Sequence, residues 1–262
     1  MSIPAPSGAH IVNADTLVRV SVDPRAASGF AHAARYRAVR PSYPRAAIDH
    51  VVAELGLERS SYVIDLAAGT GKLTQRLLAV FDEVLAVEPS PQMRALGHRH
   101  AVAGTAEAIP LRANSVDAVF VAQAFHWFDA PAAAADIARV LRPGGGLILV
   151  TNDERWQHHS WYPDLDALLT AHKPRRPWPS TPADDPARAA VAVQFEPLRE
   201  ATFPHTHTLD RRGFVDLVAS WSWIVNLPDD TCVSLLARIA DLVPDTVELD
   251  YDTRVRYAAR RA

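Results

Sequence analysis

The chain is predicted to be an α/β protein built on a mostly parallel sheet. Three observations predict it. Between residues 60 and 151, short apolar runs alternate with stretches of helical composition. That spacing makes right-handed βαβ units, the connection that packs a helix back onto parallel strands. The first run passes into its helix through Gly69-Thr70-Gly71, and the last follows the tight turn Pro143-Gly144-Gly145-Gly146.

The elements follow in chain order. Residues 1–25 mix Pro, Ser, Gly and Asp without a period and read as a loose leader. An N-terminal helical arm spans residues 26–58. In it Phe30 to Arg40 has helical composition stopped by Pro41, and Pro44 opens a helix from Arg45 to Leu55. Ile48, Val51, Val52 and Leu55 recur there at helical spacing, and Gly56 supplies the stop.

The core covers residues 59–151. Tyr62–Leu66 reads as a strand, Lys72–Val80 as a helix and Val84–Glu88 as a second strand. Ser90-Pro91 is a helix cap with proline at the first helical position. Val116–Ala122 is a strand, Pro131–Leu141 a helix and Leu147–Thr151 a strand. Residues 152–200 form a cap elaboration, in which five prolines between positions 174 and 186 break the rhythm. Residues 201–262 complete the sheet with a strand Ala201–Leu209, helices Gly213–Ser220 and Thr231–Leu242, and a strand Val247–Tyr257. Apolar and polar residues alternate along that last strand, so one side is buried and an antiparallel pair closes the sheet edge.

Composition excludes several classes. Twenty-seven Lys plus Arg against 30 Asp plus Glu give a net charge of -3 over 262 residues. Nucleic-acid binders usually carry a strongly basic surface, so no nucleic-acid partner is expected. Hydrophobic residues at 48% and charged residues at 22% are the mix of a folded globule. The single Cys232 excludes an intrachain disulfide and any multi-cysteine zinc or iron–sulfur site. No apolar run is long enough to span a membrane, and Met1 to Asp15 lacks the pattern of a secretory signal. A cytoplasmic protein is expected; its oligomeric state is not readable.

The most informative segment is Val63-Ile64-Asp65-Leu66-Ala67-Ala68-Gly69-Thr70-Gly71-Lys72-Leu73. Small residues let backbone approach a ligand, and the following helix offers unpaired N–H groups. Glu88 ends the second strand, where a carboxylate can accept both hydroxyls of a ribose. The pair predicts an adenosine-containing ligand. A dinucleotide turn needs a third glycine where Thr74 stands, and no glycine precedes Gly71 by five residues as a phosphate loop requires. An acid ahead of the turn suits a cationic amino group, as on a methionine moiety.

At these residues the chain resembles the class I S-adenosylmethionine-dependent methyltransferases, of the small-molecule kind that includes trans-aconitate methyltransferase. Asp65, Gly69 and Gly71 match the first motif, with Ala67 in place of its first glycine. Glu88 matches the ribose acid; Gly104 to Leu111 matches the adenine-side loop; Ser115 to Asp129 and Ala138 to Leu147 match the fourth- and fifth-strand motifs. The resemblance implies a Rossmann-like sheet of seven strands, mostly parallel, with an antiparallel closing strand and helices on both faces. It implies S-adenosyl-L-methionine as cofactor, held by Asp65, Ala67, Gly69, Gly71, Glu88, Pro89, Met93, Ala106 and Glu107, with the backbone carbonyl of Gln123 on the methionine amine. Upstream, Tyr36-x-x-x-Arg40-Pro41-x-Tyr43-Pro44 resembles an arm folding over the cofactor, with Tyr36 and Arg40 towards its methionine part. Ser220-Trp221-Ser222-Trp223 and Tyr251-x-Thr253 resemble recurring segments more faintly.

Several side chains are candidates for the acceptor's site. His126 stands beside the expected methyl group and is the candidate general base for a hydroxyl acceptor; a carboxylate acceptor needs none. All six tryptophans lie at or after Trp127. Phe125, Trp127, Trp161 and Trp223 are the expected pocket walls, with Trp156, Trp178 and Trp221 as further candidates. His158-His159 and His205-x-His207 invite a metal reading, but no third ligand stands at recognisable spacing and no metal is assigned. Two other readings stay open: a nicotinamide-dependent oxidoreductase, against which the missing third glycine counts, and a non-catalytic cofactor-gated binding protein, for which Ala67 speaks.

Overall fold

A computed structural model describes residues 37–97, 101–173 and 186–262. Tyr36, Trp178, the leader, most of the helix expected over Phe30–Arg40 and nearly all of the proline-rich stretch lie outside the described residues. After the arm come α1 (Arg45–Glu54), β1 (Tyr62–Leu66), α2 (Lys72–Leu77), β2 (Glu83–Val87), α3 (Pro91–Leu96) and β3 (Val116–Ala122). A single 3-10 turn, Phe125–Trp127, precedes α4 (Ala130–Val140), β4 (Leu141–Glu154), α5 (Tyr162–His172) and α6 (Pro186–Gln194). The chain closes with β5 (Arg199–Asp210), α7 (Arg211–Ala219), α8 (Ser222–Val225), α9 (Asp229–Leu242) and β6 (Thr246–Ala259).

The sheet order is β2-β1-β3-β4-β6-β5. The first four strands run parallel, and β6 pairs antiparallel with both β4 and β5. Among the described residues six strands stand where seven were expected. Beyond β2 the segment at Val102 makes only one parallel bridge, to Val87. Two backbone hydrogen bonds fix it, Glu88 N–H to the Val102 carbonyl at 3.0 Å and Val102 N–H to the Ala86 carbonyl at 2.9 Å. A side chain at Gly104 would strike Pro110 and Val87 at under 3 Å.

Parallel strands covered on both sides bury alternate residues on opposite faces. Ile64, Val119, Val121, Leu147 and Leu149 pack on one face under Ala133 and Ile137 of α4 and Val191 of α6. Val63, Ala118, Phe120, Ile148 and Val150 pack on the other, under Ile48 and Val51 of α1 and Leu77 of α2. A third cluster lies towards the C-terminal end of the chain, where α5, α7 and α9 cover Val247, Leu249 and Tyr251 of β6.

β4 is longer than the strand expected from Leu147 because the glycine turn is itself drawn into the ladder. A Cβ at Gly146 would lie 2.6 Å from Leu55 Cδ1, so this turn is shaped by close packing rather than by a ligand. Three helices, α5, α6 and α8, were not read from sequence. Among the described residues, no helix is long and apolar enough to cross a membrane.

Candidate functional site

The site begins where β1 runs out. Asp65 is buried, and its Oδ2 accepts a 2.5 Å hydrogen bond from Thr74 Oγ1 on α2. Its Oδ1 is also buried and has no hydrogen-bond partner. Desolvation pushes the Asp65 carboxyl up to about 7; the bonds from Thr74 oppose this and the Glu88 carboxylate adds to it.

The turn after β1 is held in a conformation that side chains resist. Ala67 has φ +55° and Gly69 φ +56°, and Gly71 caps α2 in the left-handed region. At Ala67 this costs roughly 1–2 kcal/mol. The Cβ direction of Gly69 meets nothing within 4 Å, so the backbone there faces open space. Thr70 Oγ1 is a second buried oxygen without a partner.

Glu88, just past β2, braces the same turn. Its Oε2 accepts from Gly69 N–H at 2.9 Å and its Oε1 from Ser90 N–H at 2.8 Å. Burial raises its pKa against these bonds and the charge of Arg94. Each oxygen keeps a lone pair. Pro89 is half-buried, with its carbonyl held by Arg94, and Met93 is buried beneath α3. Ala106 is buried in the core face, and Glu107 Oε1 accepts from Asp129 N–H at 3.1 Å.

The opposite wall comes from the ends of β3 and β4 and from the arm. Gln123 has φ +54°, its N–H donating to the Val150 carbonyl at 2.9 Å and its side chain to the Asn152 carbonyl at 3.1 Å. Asn152 donates to the Ser42 carbonyl at 3.2 Å and accepts from Thr253 Oγ1 at 2.7 Å. Lys72 Nζ reaches the Arg40 carbonyl at 2.6 Å, and His207 Nε2 the Val39 carbonyl at 2.8 Å. Arg40 itself donates to Ser220 through Nε at 2.9 Å and through its terminal nitrogen to the carbonyl at 3.1 Å. Side chains from α2, β4 and β5 thus clamp the arm by its own carbonyls. Between arm and turn lies an open cleft lined by Arg40, Asp65, Ala67, Gly69, Lys72 and Gln123 among others.

A methyltransferase domain family matches residues 64–149 of the chain, the segment that carries the turn and β3. An uncharacterized methyltransferase of Mycobacterium tuberculosis is 39% identical over 217 residues, covering 79% of this chain and 82% of that protein. The chain belongs to the class I S-adenosylmethionine-dependent methyltransferases. An uncharacterized methyltransferase-like protein of Schizosaccharomyces pombe is 34% identical over 234 residues, covering 84% of this chain and 90% of its own length. The solved structure of a protein of Anaeromyxobacter dehalogenans, assigned as a type II methyltransferase, shares the fold at 23% identity and a TM-score of 0.58. It covers 84% of this chain and 97% of its own. The nicotinamide and non-catalytic readings are set aside by this membership.

The methyltransferase family implies S-adenosylmethionine, and the residues present fit it. Two buried oxygens without partners, Asp65 Oδ1 and Thr70 Oγ1, border a cleft whose floor at Gly69 has no side chain. A cationic amino group beside Asp65 offsets the cost of burying that carboxylate.

Other expected residues lie elsewhere. His126 is exposed on the 3-10 turn, its ring 4.9 Å from that of half-buried Trp127, and does not line the cleft. Phe125 is 8% exposed and packs on Phe128 in the core face. Trp161 is buried against Trp156 and Phe214, and Trp223 flanks Trp221 at 6.2 Å. These rings build the third core rather than the cleft. Sequence reasoning gave no role to Lys72 or Asn152 and weighed His207 only as a metal ligand with His205. The faint resemblance at Ser220 and Thr253 was the available signal, because both turn out to hold the arm's partners.

Proposed function

We propose that this methyltransferase acts on a small-molecule acceptor carrying a carboxylate, in the manner of the trans-aconitate methyltransferase-like subgroup that its arm resembles. The observation that carries the reading is Asp65, buried with one oxygen unpartnered, in a cleft walled on its other side by the arm at Arg40. Asp65 and the Gln123 carbonyl hold the methionine ammonium, and Arg40 its carboxylate. Glu88 accepts the ribose hydroxyls with its remaining lone pairs, while Pro89, Met93, Ala106 and Glu107 flank the adenine. Tyr36 belongs to the same arm, outside the described residues.

When bound, S-adenosylmethionine supplies an activated methyl on a sulfonium, so transfer depends chiefly on alignment of the acceptor. Lys72, bonded to the Arg40 carbonyl, holds the arm beside the turn. A neighbouring hollow lined by Arg37, Lys72 and Arg76 shares Thr70 and Lys72 with the cleft. That charge suits an anionic acceptor. A carboxylate is already ionised near neutral pH and needs no base, which agrees with the exposed position of His126.

Turnover against paired panels of small carboxylic acids and small alcohols, with the product read by mass spectrometry, tests the reading. Methyl esters are expected, with kcat of His126→Ala within about twofold of the parent. Methyl ethers alone, lost in His126→Ala, would overturn the carboxylate assignment and restore His126 as the base.

A further inference from the structure

The loop that follows β4 folds back onto β6, away from the cleft. It carries His158 and His159, and Asp250 of β6 faces them. One ligand atom of each lies within 4.8 Å of the other two. His158 Nε2 stands 3.3 Å from Asp250 Oδ2. A tetrahedral site with ligand bonds of 2.0–2.1 Å has edges of about 3.4 Å, so this pair is spaced as two such ligands.

The surroundings hold the donors in place. Asp250 Oδ1 accepts from Thr206 Oγ1 at 2.7 Å, which leaves Oδ2 turned to the histidines. Arg155 N–H donates to the Asp250 carbonyl at 2.9 Å and pins the loop to the strand. Outer-shell bonds of this kind orient the ligands of metal sites. His159 is stacked on Trp161, with ring centroids 4.7 Å apart and planes 11° from parallel, and its Nε2 is buried without a hydrogen-bond partner. An ordinary ion pair accounts for His158 and Asp250 but leaves that nitrogen unexplained. Arg155, which lines the same hollow, is 3.4 Å from Asp252.

We propose that His158, His159 and Asp250 bind a divalent transition-metal ion of the zinc type, with water completing the shell. Two imidazoles and one carboxylate are a donor set that suits zinc. The ion ties the loop carrying Trp156 and Trp161 to β6, and so braces the third core. His158 and Asp250 line a hollow that shares no residue with the cofactor cleft. Adjacent histidines showed no third ligand in the sequence because the third comes from a strand some 90 positions further on.

The test uses the untagged full-length chain, stripped with chelator and titrated with zinc chloride by calorimetry, with melting temperature recorded alongside. One Zn²⁺ per chain and a rise in melting temperature are expected. His158→Ala and Asp250→Asn, both at partly exposed side chains, should weaken binding at least about tenfold and remove the rise. His172→Ala, at a histidine outside the cluster, should bind as the parent does. Cobalt in place of zinc should give the visible absorption of a tetrahedral site in the parent only. Absence of saturable one-to-one uptake, or identical isotherms in the parent and both variants, would overturn the proposal.

Discussion

The cleft at the end of β1 and the aromatic core beneath α5, α7 and α9 solve opposite problems. Around the cleft the chain holds Ala67 and Gln123 at positive φ, buries two carboxylates and leaves Asp65 Oδ1 and Thr70 Oγ1 unpaired. In the aromatic core Trp156 is 1% exposed and its ring meets those of Trp161, Phe214, Trp221 and Tyr251 at 5.7 to 6.3 Å. Positive φ and buried carboxylates gather at the cleft, whereas the aromatic core is secured by ring contact and leaves nitrogens, Trp156 Nε1 and His159 Nε2, buried without a partner. The two therefore separate under substitution.

The largest expected effect is Trp156→Ala. Removing a fully buried indole with four ring neighbours should cost about 3–5 kcal/mol of stability in urea unfolding. Cofactor affinity of the folded protein should be unchanged, and a loss of affinity equal to that of an Asp65 variant would break the separation.

Next is the pH dependence of the ligand-free chain. The Asp65 carboxyl titrates near 7 in the fold against 3.8 in an unfolded chain, so the folded state binds the proton more tightly. The fold therefore carries no penalty from this group below about pH 4, and loses on the order of 4 kcal/mol as pH rises to about 7. Asp65→Asn should flatten that slope in thermal melts from pH 4 to 8; an unchanged slope would assign it to other groups. The smallest effect is Ala67→Gly. It relieves the positive φ but loosens the unfolded chain, leaving a net gain of up to about 1 kcal/mol with the cofactor cleft intact.

The same division governs what the sequence disclosed. Strands such as Tyr62–Leu66 and Val116–Ala122 were legible to the residue, because burial on both faces demands continuous apolar runs. That Asp65, the glycines and Glu88 meet at the ends of β1 and β2 was legible because a tight strand-to-helix turn restricts residue type locally. The seventh strand was not, since at Val102 the described chain makes a single parallel bridge to Val87 and no ladder beyond it. Nor was the clamp on the arm, in which Asn152, His207 and Ser220 come from three distant segments to hold residues 39–42. Tryptophans carried an ambiguous signal: large apolar rings line pockets and cores alike, and tertiary packing sets Trp161 against Trp156 and Phe214.

The central claim is that Asp65 is the buried anion that receives the cationic end of the cofactor. Calorimetric titration of S-adenosylmethionine into the parent and Asp65→Asn at pH 6 and pH 8 tests it directly. In the parent, binding at pH 6 must first expel the Asp65 proton, so affinity should rise up to about tenfold between the two pH values, with proton release at the lower one. Asp65→Asn should bind at least about tenfold more weakly at pH 8 and show no such rise. Equal affinity in the two proteins, with the same pH dependence, would contradict the account.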